Sequence, residues 1–162
     1  MKTLYLVRHG IAVDPGPSGI PDDDRLLTPE GERKVRMVGL GLRRNKVKVD
    51  RIATSPLPRA LKTAQIIAQS LKATDLLEKA DELRTGRDAA AVRDWLAART
   101  ETRMMIVGHN PWISELLALL TTGQASPLIC DIRKAGVVAL RSAGPEGAYQ
   151  IDWIARPRLF RH

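Results

Sequence analysis

Short apolar runs alternate along this chain with longer segments in which apolar residues recur every three to four positions. TLYLV (3–7), DRIATS (50–55) and RMMIVG (103–108) have the length and composition of strands. GVVAL and YQIDWI near the C-terminus read as two more, joined by the turn-rich SAGPEGA; Tyr149, Ile151 and Trp153 alternate with Gln150 and Asp152, so the pair predicts a hairpin. LLEKADEL predicts a further short strand. Between the runs lie helices. Thr28 is placed as an N-cap, Pro29 suits the first helical position, Glu30 favours the dipole, and Val35, Val38 and Leu42 share one face. In SPLPRALKTAQIIAQSL, Leu57, Leu61, Ala64, Ala68 and Leu71 follow helical spacing, with Ser55 as the expected cap. Asp88 to Arg99 predicts a helix turning Val92, Trp95 and Leu96 inward, and NPWISELLALL predicts another, with Pro111 at its start. Strands alternating with helices predict an α/β fold: a three-layer αβα sandwich around a largely parallel central sheet with an antiparallel edge hairpin. Its ligand crevice should lie beyond the strand C-terminal ends.

At 162 residues, with no repeat, low-complexity tract or linker, the chain predicts a single domain over 1–162. A hydrophobic content of 44% with 27% charged residues is that of a globular protein, and no apolar run is long enough to span a membrane. The N-terminus lacks the features of a signal peptide, and the single cysteine, Cys130, excludes an internal disulfide and reads as a packing residue. A cytoplasmic location is the default. The formal charge of +8 points to an anionic partner. Only 4% of residues are aromatic and no Lys/Arg block or zinc-finger spacing occurs, which disfavours nucleic acid.

Three strand or strand-to-helix ends carry unusual groups: VRHG with Arg8 and His9, TSPLPRA with Arg59, and VGHNP with His109. Singly, each has a plain explanation: a solvated turn, an exposed helix residue, a satisfied histidine at a strand end. A parallel sheet brings them to one edge, where two imidazoles and two guanidiniums would surround an anion, helped by helix N-termini at Pro56 and Pro111. A phosphoryl group in transfer spreads charge over three oxygens and needs fixed cations, and arginine supplies a permanent charge on a planar fork of donors.

LVRHG, SPLPRALKTA and VGHNP, in this order, resemble the motifs of the histidine phosphatase, or phosphoglycerate mutase-like, superfamily. DDDRLLTPEG followed by a helix is similar to the corresponding segment of SixA-type phosphohistidine phosphatases. The resemblance implies that His9 is the nucleophile, forming a phosphohistidine intermediate, while Arg8, Arg59 and His109 grip the phosphoryl oxygens. No cofactor is expected, and with only three histidines, one of them His162, and no HExxH or Cys-rich spacing, no metal either; the expected substrate is a phosphorylated protein, with phosphate or sulfate as pocket ligands. Neighbouring guanidiniums should hold the His9 pKa down, and its non-attacking ring nitrogen should donate to a backbone carbonyl near Gly10. Arg25 has two readings, an ion pair with Asp22, Asp23 or Asp24 and a place near the incoming phosphate. The DDD run itself reads as a solvated loop, with one carboxylate, Asp22 for instance, available as an acid or to orient an arginine.

The chain departs from the superfamily pattern at DELRTG, where Thr85 stands in place of the expected glutamate proton donor. Glu82 is nearby but, on a strand, would point to a different face. A phosphate ester leaves as a poor alkoxide that wants a proton, whereas phosphohistidine can leave as neutral imidazole. The missing acid therefore favours a phosphoramidate, and the lack of an insertion large enough for a lid predicts a shallow, open cleft. Set against this stand a small-molecule phosphomonoesterase using Glu82 or one of Asp22 to Asp24, a phosphate-binding module without catalysis, and a metal hydrolase. A mutase would need an enclosed site. Trp95, Trp112 and Trp153 read as packing residues, and RPRLFRH as a frayed basic tail in which a partner contact is conceivable.

Overall fold

The runs read as strands form strands, the inner ones buried on both faces and the two edge ones partly exposed. In the computed structural model, which describes residues 1–16, 19–126, 129–144 and 147–161, they are β1 (Thr3–Arg8), β2 (Arg51–Thr54), β3 (Leu77–Lys79), β4 (Arg103–Gly108), β5 (Val137–Ser142) and β6 (Tyr149–Ala155). The helices are α1 (Pro29–Arg44), α2 (Pro58–Leu71), α3 (Ala89–Ala97) and α4 (Trp112–Thr122). One mixed sheet runs in the order β3-β2-β4-β1-β5-β6. Its first four strands are parallel, and β5 and β6 are added antiparallel.

Side-chain alternation divides the core. Tyr5, Val7, Ile52, Met105 and Val107 pack with Val35, Val38 and Leu42 of α1 and Ala60, Ala64 and Ile67 of α2. Leu4, Leu6, Met104 and Ile106 point to the other face and pack with Val92 of α3 and Trp112, Ile113 and Leu116 of α4. Near-continuous apolar runs such as LYLV are what a strand covered on both sides requires. The predicted three-layer sandwich is therefore the observed one. α1 begins as expected: Thr28 Oγ1 accepts from Gly31 N–H at 2.9 Å, a cap of a kind that contributes about 1 kcal/mol.

Four local expectations are corrected. Ser55 does not cap α2. Leu57 precedes a proline, whose ring disfavours helical backbone at the residue before it, so Leu57 stays extended at ψ 138° and the helix starts at Pro58, not at Pro56. The strand predicted over LLEKADEL stops at Lys79, and Asp81–Leu83 forms a 3-10 turn that buries Leu83. In β6 the register shifts opposite Ala139 and Leu140, placing the extra residue Asp152 between Ile151 and Trp153. This bulge breaks the predicted alternation: Trp153 packs with Tyr5 on the α1/α2 face, while Tyr149 packs on the α3/α4 face. The hairpin itself forms, although Pro145 and Glu146 of its turn lie outside the described residues, as do Pro17 and Ser18 of the loop after β1 and His162.

The fourth correction concerns the C-terminus, which is docked rather than frayed. Pro157–Phe160 forms a 3-10 turn, the Phe160 ring is buried against Gly41 where no Cβ would fit, and Arg44 donates to the Phe160 carbonyl at 3.1 Å. Cys130, Trp95, Trp112 and Trp153 all pack on the two cores, as expected. Among the described residues no helix is long and apolar enough to cross a membrane.

Candidate active site

Sheet register builds the site. Arg8 pairs with Gly108 and Thr54 with Val107, so β1, β2 and β4 end level with one another. The ladder extends one residue further, with His9 N–H donating to Gly108 O at 3.1 Å and Ser55 N–H to Val107 O at 3.0 Å. His9, Ser55 and His109 consequently leave the sheet side by side, and the two imidazole centroids lie 5.2 Å apart. Arg59 enters from the first turn of α2 and is almost wholly buried, at 2% exposure. The four residues named from the three motifs are thus one cluster, in which the charges of Arg8 and Arg59 act on His9 and that of Arg59 acts on His109.

The His9 ring has one free nitrogen. Its Nδ1 lies 2.7 Å from Gly10 O, a pure acceptor, so Nδ1 carries the proton and Nε2 keeps its lone pair. The expected backbone partner near Gly10 is present. Gly10 is required there because a Cβ would lie 2.7 Å from Val35 Cγ2 of α1. Its N–H donates to Thr63 Oγ1, which in turn donates to Arg59 O at 2.7 Å, tying the loop after His9 to α2. Burial, followed by the charges of Arg59, Arg8 and Arg25, pushes the His9 pKa down to about 4 despite the opposing hydrogen bond to Gly10. At neutral pH the imidazole is neutral.

His109 is oriented by a residue for which the sequence suggested a different job. Ser55 Oγ accepts Leu57 N–H at 3.3 Å and lies 2.8 Å from His109 Nε2. The hydroxyl proton has no other acceptor among the described residues, so it goes to Nε2 and the His109 proton sits on Nδ1. Burial, then His9 and Arg59, lowers the His109 pKa to about 3. Among the described residues, His109 Nδ1, Arg8 Nε and Arg59 Nε are all buried without a hydrogen-bond partner. Three N–H groups of one cluster are thus left unsatisfied within the protein, and groups of this kind favour an anionic acceptor. The clue to Ser55 was its position, immediately beyond a strand in the same layer as His9 and His109.

Arg8 is held by the chain before β5. Its Nη1 donates to Ile132 O at 3.0 Å and stands 3.9 Å from Asp131. Asn110, expected to be structural, secures this loop: its Nδ2 donates to Asp131 Oδ1 at 2.8 Å and to Ile132 O at 3.2 Å, and its Oδ1 accepts from Ser114 Oγ. α4 starts just after Pro111, as predicted.

The ion-pair reading of Arg25 holds. Its Nε donates to Asp22 Oδ1 at 2.9 Å, and its charge reaches both histidines. Asp22 in turn takes two of the five N–H donors of Arg59, one on its carbonyl at 2.7 Å and one on Oδ2 at 3.1 Å. Partial desolvation opposes ionisation of Asp22, but the charges and hydrogen bonds of Arg59 and Arg25 outweigh it and hold the carboxyl below its ordinary range. Such a group stores no proton at neutral pH, which matches the arginine-orienting reading. Glu82 is exposed on its 3-10 turn, and no contact joins it to the cluster among the described residues. Among the described residues, no three His, Cys, Asp or Glu side chains gather as a metal site.

A parallel sheet edge carrying a neutral imidazole, a second imidazole and two guanidiniums defines a phosphoryl-handling enzyme of the αβα class. Residues 4–87 match the model of the histidine phosphatase superfamily (branch 1). The chain belongs to that superfamily and is a phosphatase. It is 33% identical over 142 residues to an uncharacterised protein of Picosynechococcus, covering 86% of this chain and 84% of the relative. It is 27% identical over 137 residues to phosphohistidine phosphatase SixA of Escherichia coli K12, covering 83% of each. The structure of the protein histidine phosphatase SixA complexed with tungstate superimposes with a TM-score of 0.86 over 98% of this chain and 99% of that one, at 23% identity. A phosphoserine phosphatase of Entamoeba histolytica in complex with phosphoserine shares the fold at a TM-score of 0.70 and 18% identity, over 98% of both chains.

Proposed function

We propose that this phosphatase removes the phosphoryl group from phosphohistidine on a protein, through a covalent intermediate on His9 and without a metal. His9 Nε2 attacks phosphorus while the Nδ1–H bond to Gly10 O holds the ring and stabilises the positive charge it acquires. The P–N bond of the substrate breaks, and the departing imidazole, protonated on its other nitrogen, leaves neutral. Water then attacks phosphorus, the P–Nε2 electron pair returns to His9, and phosphate is released. Arg8, Arg59 and His109 Nδ1–H hold the phosphoryl oxygens during both transfers.

The observation that carries this reading is the state of the acids. Asp22, the carboxylate bonded to Arg59, is clamped as an anion by Arg25 and Arg59, and Glu82 is exposed with no tie to the cluster among the described residues. A site without a loaded proton donor suits a leaving group that needs none, and alkyl esters need one. The likeness to the Escherichia coli phosphohistidine phosphatase supports the same substrate class.

The test offers the purified enzyme a phosphohistidine protein, an activated aryl phosphate and a sugar phosphate, each with and without EDTA. The expected order of kcat/KM is phosphohistidine first, aryl phosphate second and sugar phosphate last, with EDTA without effect. A preference for the sugar phosphate, together with its selective loss in Glu82→Gln or Asp22→Asn, would establish the small-molecule phosphomonoesterase instead. Loss on chelation with rescue by one metal would establish a metal hydrolase.

A further inference from the structure

The antiparallel hairpin brings a second set of cations to the edge where Arg8 ends. We propose that this set forms a groove that holds an acidic segment of the phosphorylated protein, next to the phosphohistidine; this rests on the substrate reading above.

The topology dictates the placement. Val7 pairs with Val137, and Val137 with Ala155, so β5 starts and β6 finishes level with the C-terminal end of β1. Arg133 and Lys134 precede β5, and Arg156 follows β6. Together with Arg158 and Arg161 they line a cleft of about 650 Å³ that begins at Arg8. Lys34 of α1 adds a further cation, itself 3.1 Å from Glu30. Asp131 is the one carboxylate on the wall among the described residues, and it is engaged by Asn110 and lies near Arg8 and Arg133. Lys134, Arg156 and Arg158 are exposed and have no carboxylate partner among the described residues. The sheet order sets this groove on the β5/β6 side of β1, whereas Asp22 is held by Arg59 on the β2 side.

Two anchors make the groove part of the fold rather than a cluster of mobile chains. Ala135 adopts left-handed backbone at φ 58°, unusual for a residue with a Cβ, and its N–H lies within hydrogen-bond reach of both Arg8 O, at 3.0 Å, and His9 O, at 3.1 Å. Gly136 N–H closes the turn on Arg133 O at 2.7 Å, and Arg8 N–H donates to Gly136 O at 3.2 Å. Arg133 and Lys134 are therefore fixed relative to the nucleophile. The other wall is anchored by Phe160, buried against Gly41.

Like charges gathered in this way repel, and an anionic occupant relieves the repulsion. The cations come from three separate segments of the cleft, the turn before β5, the end of β6 and the terminal 3-10 turn, so they belong to an extended wall. Among the described residues no aromatic ring lines it, so bases would find nothing there to stack on. A row of carboxylates on a polypeptide fits both facts, and its contact would act on encounter and orientation more than on the chemical step.

The experiment compares the wild type with K134E/R156E/R158E, keeping K134Q/R156Q/R158Q as a second variant in case charge reversal impairs folding. A fluorescein-labelled Glu-rich peptide, unphosphorylated, reports the groove by anisotropy at low ionic strength. Two chemically phosphorylated histidine peptides, one flanked by Glu and one by Gly and Ser, report turnover, with p-nitrophenyl phosphate as a control lacking any flank. The wild type should bind the acidic peptide and prefer the Glu-flanked substrate by roughly tenfold in kcat/KM, with both effects fading as salt rises. The variants should lose roughly tenfold in peptide binding and lose the flank preference, while hydrolysis of p-nitrophenyl phosphate stays within about twofold. Equal peptide binding by wild type and variants, or no flank preference in the wild type, overturns the proposal. Tighter binding of oligothymidylate or of phosphatidylserine vesicles through the same three residues overturns the choice of occupant. If neither phosphohistidine peptide is cleaved while p-nitrophenyl phosphate is, the substrate reading fails, and the anisotropy still decides whether the groove binds an acidic chain.

Discussion

On the β2–β4–β1 side of the sheet, the edge delivers His9, His109 and Arg59 at 6%, 1% and 2% exposure, each held by a neighbour: Gly10 O, Ser55 Oγ and Asp22. On the β5–β6 side the same edge delivers Lys134, Arg156 and Arg158, exposed and without carboxylate partners among the described residues. Both sides are rich in cations, but they do different work. Burial makes a charge or lone pair act strongly at one point, because little water screens it and its neighbours fix its geometry. Exposure leaves a charge weak at any one point but felt by a partner in solution over about a Debye length, roughly 8 Å at physiological salt. On the proposed reading the parallel strands carry the chemistry, and the hairpin carries the charge that meets the substrate.

Substitutions can break this contrast, beginning with the largest effect. His9→Ala should abolish turnover by roughly 10^4-fold or more and leave no acid-labile label after rapid quench with a radioactive phosphodonor; retained labelling would move the nucleophile elsewhere. Arg59→Ala should cost roughly 10²- to 10³-fold in kcat on an aryl phosphate, whereas Arg156→Ala should leave that rate within about twofold, so equal losses in the two variants would erase the distinction between the sides. Ser55→Ala should lower kcat roughly tenfold by freeing the His109 tautomer, and Ser55→Thr, which restores a hydroxyl, should recover most of it; a pure packing role would not respond to the hydroxyl.

The smallest effects are in pH dependence. If His9 is the nucleophile, as proposed, its neutral form reacts; burial holds its pKa down to about 4, so kcat/KM should hold through pH 5.5, where a free imidazole of pKa 6.5 is mostly protonated, and fall only toward pH 4. Stability should move with it. Below pH 6.5 the unfolded chain protonates both imidazoles while the folded chain does not until about 4 for His9 and about 3 for His109, so the unfolded state binds more protons and stability falls as pH falls through this window. Urea midpoints at pH 7.5 and 5.5 measure the slope, which His9→Ala should reduce and substitution of exposed cations on the hairpin side should not change.

Much of this was legible in local pattern. LVRHG, TSPLPRA and VGHNP each announce a strand or strand-to-helix end bearing a basic or imidazole group, and the αβα sandwich follows from the alternation of apolar runs with amphipathic helices. The Thr28 cap and the Gly10 carbonyl partner are also local, involving residues close in the chain. Ser55 was legible as a polar residue but assigned to the wrong task, because its N-terminal position before a helix looks the same whether its hydroxyl turns to the helix or across the sheet. The frayed reading of RPRLFRH failed for the same reason: nothing in that heptapeptide shows that Gly41, more than a hundred residues earlier, leaves a space for Phe160.

By itself the sequence determined which residues stand at strand ends and what chemistry they hold, since backbone period and side-chain type are properties of short segments. Only the tertiary structure decided their company. That Asp22 is an anion clamped by two arginines, that His109 carries its proton on Nδ1, and that the hairpin sets Lys134 and Arg156 beside Arg8 all depend on contacts between segments far apart in the chain. Protonation state and local field are set by neighbours in space, and these are fixed only when the sheet takes its order.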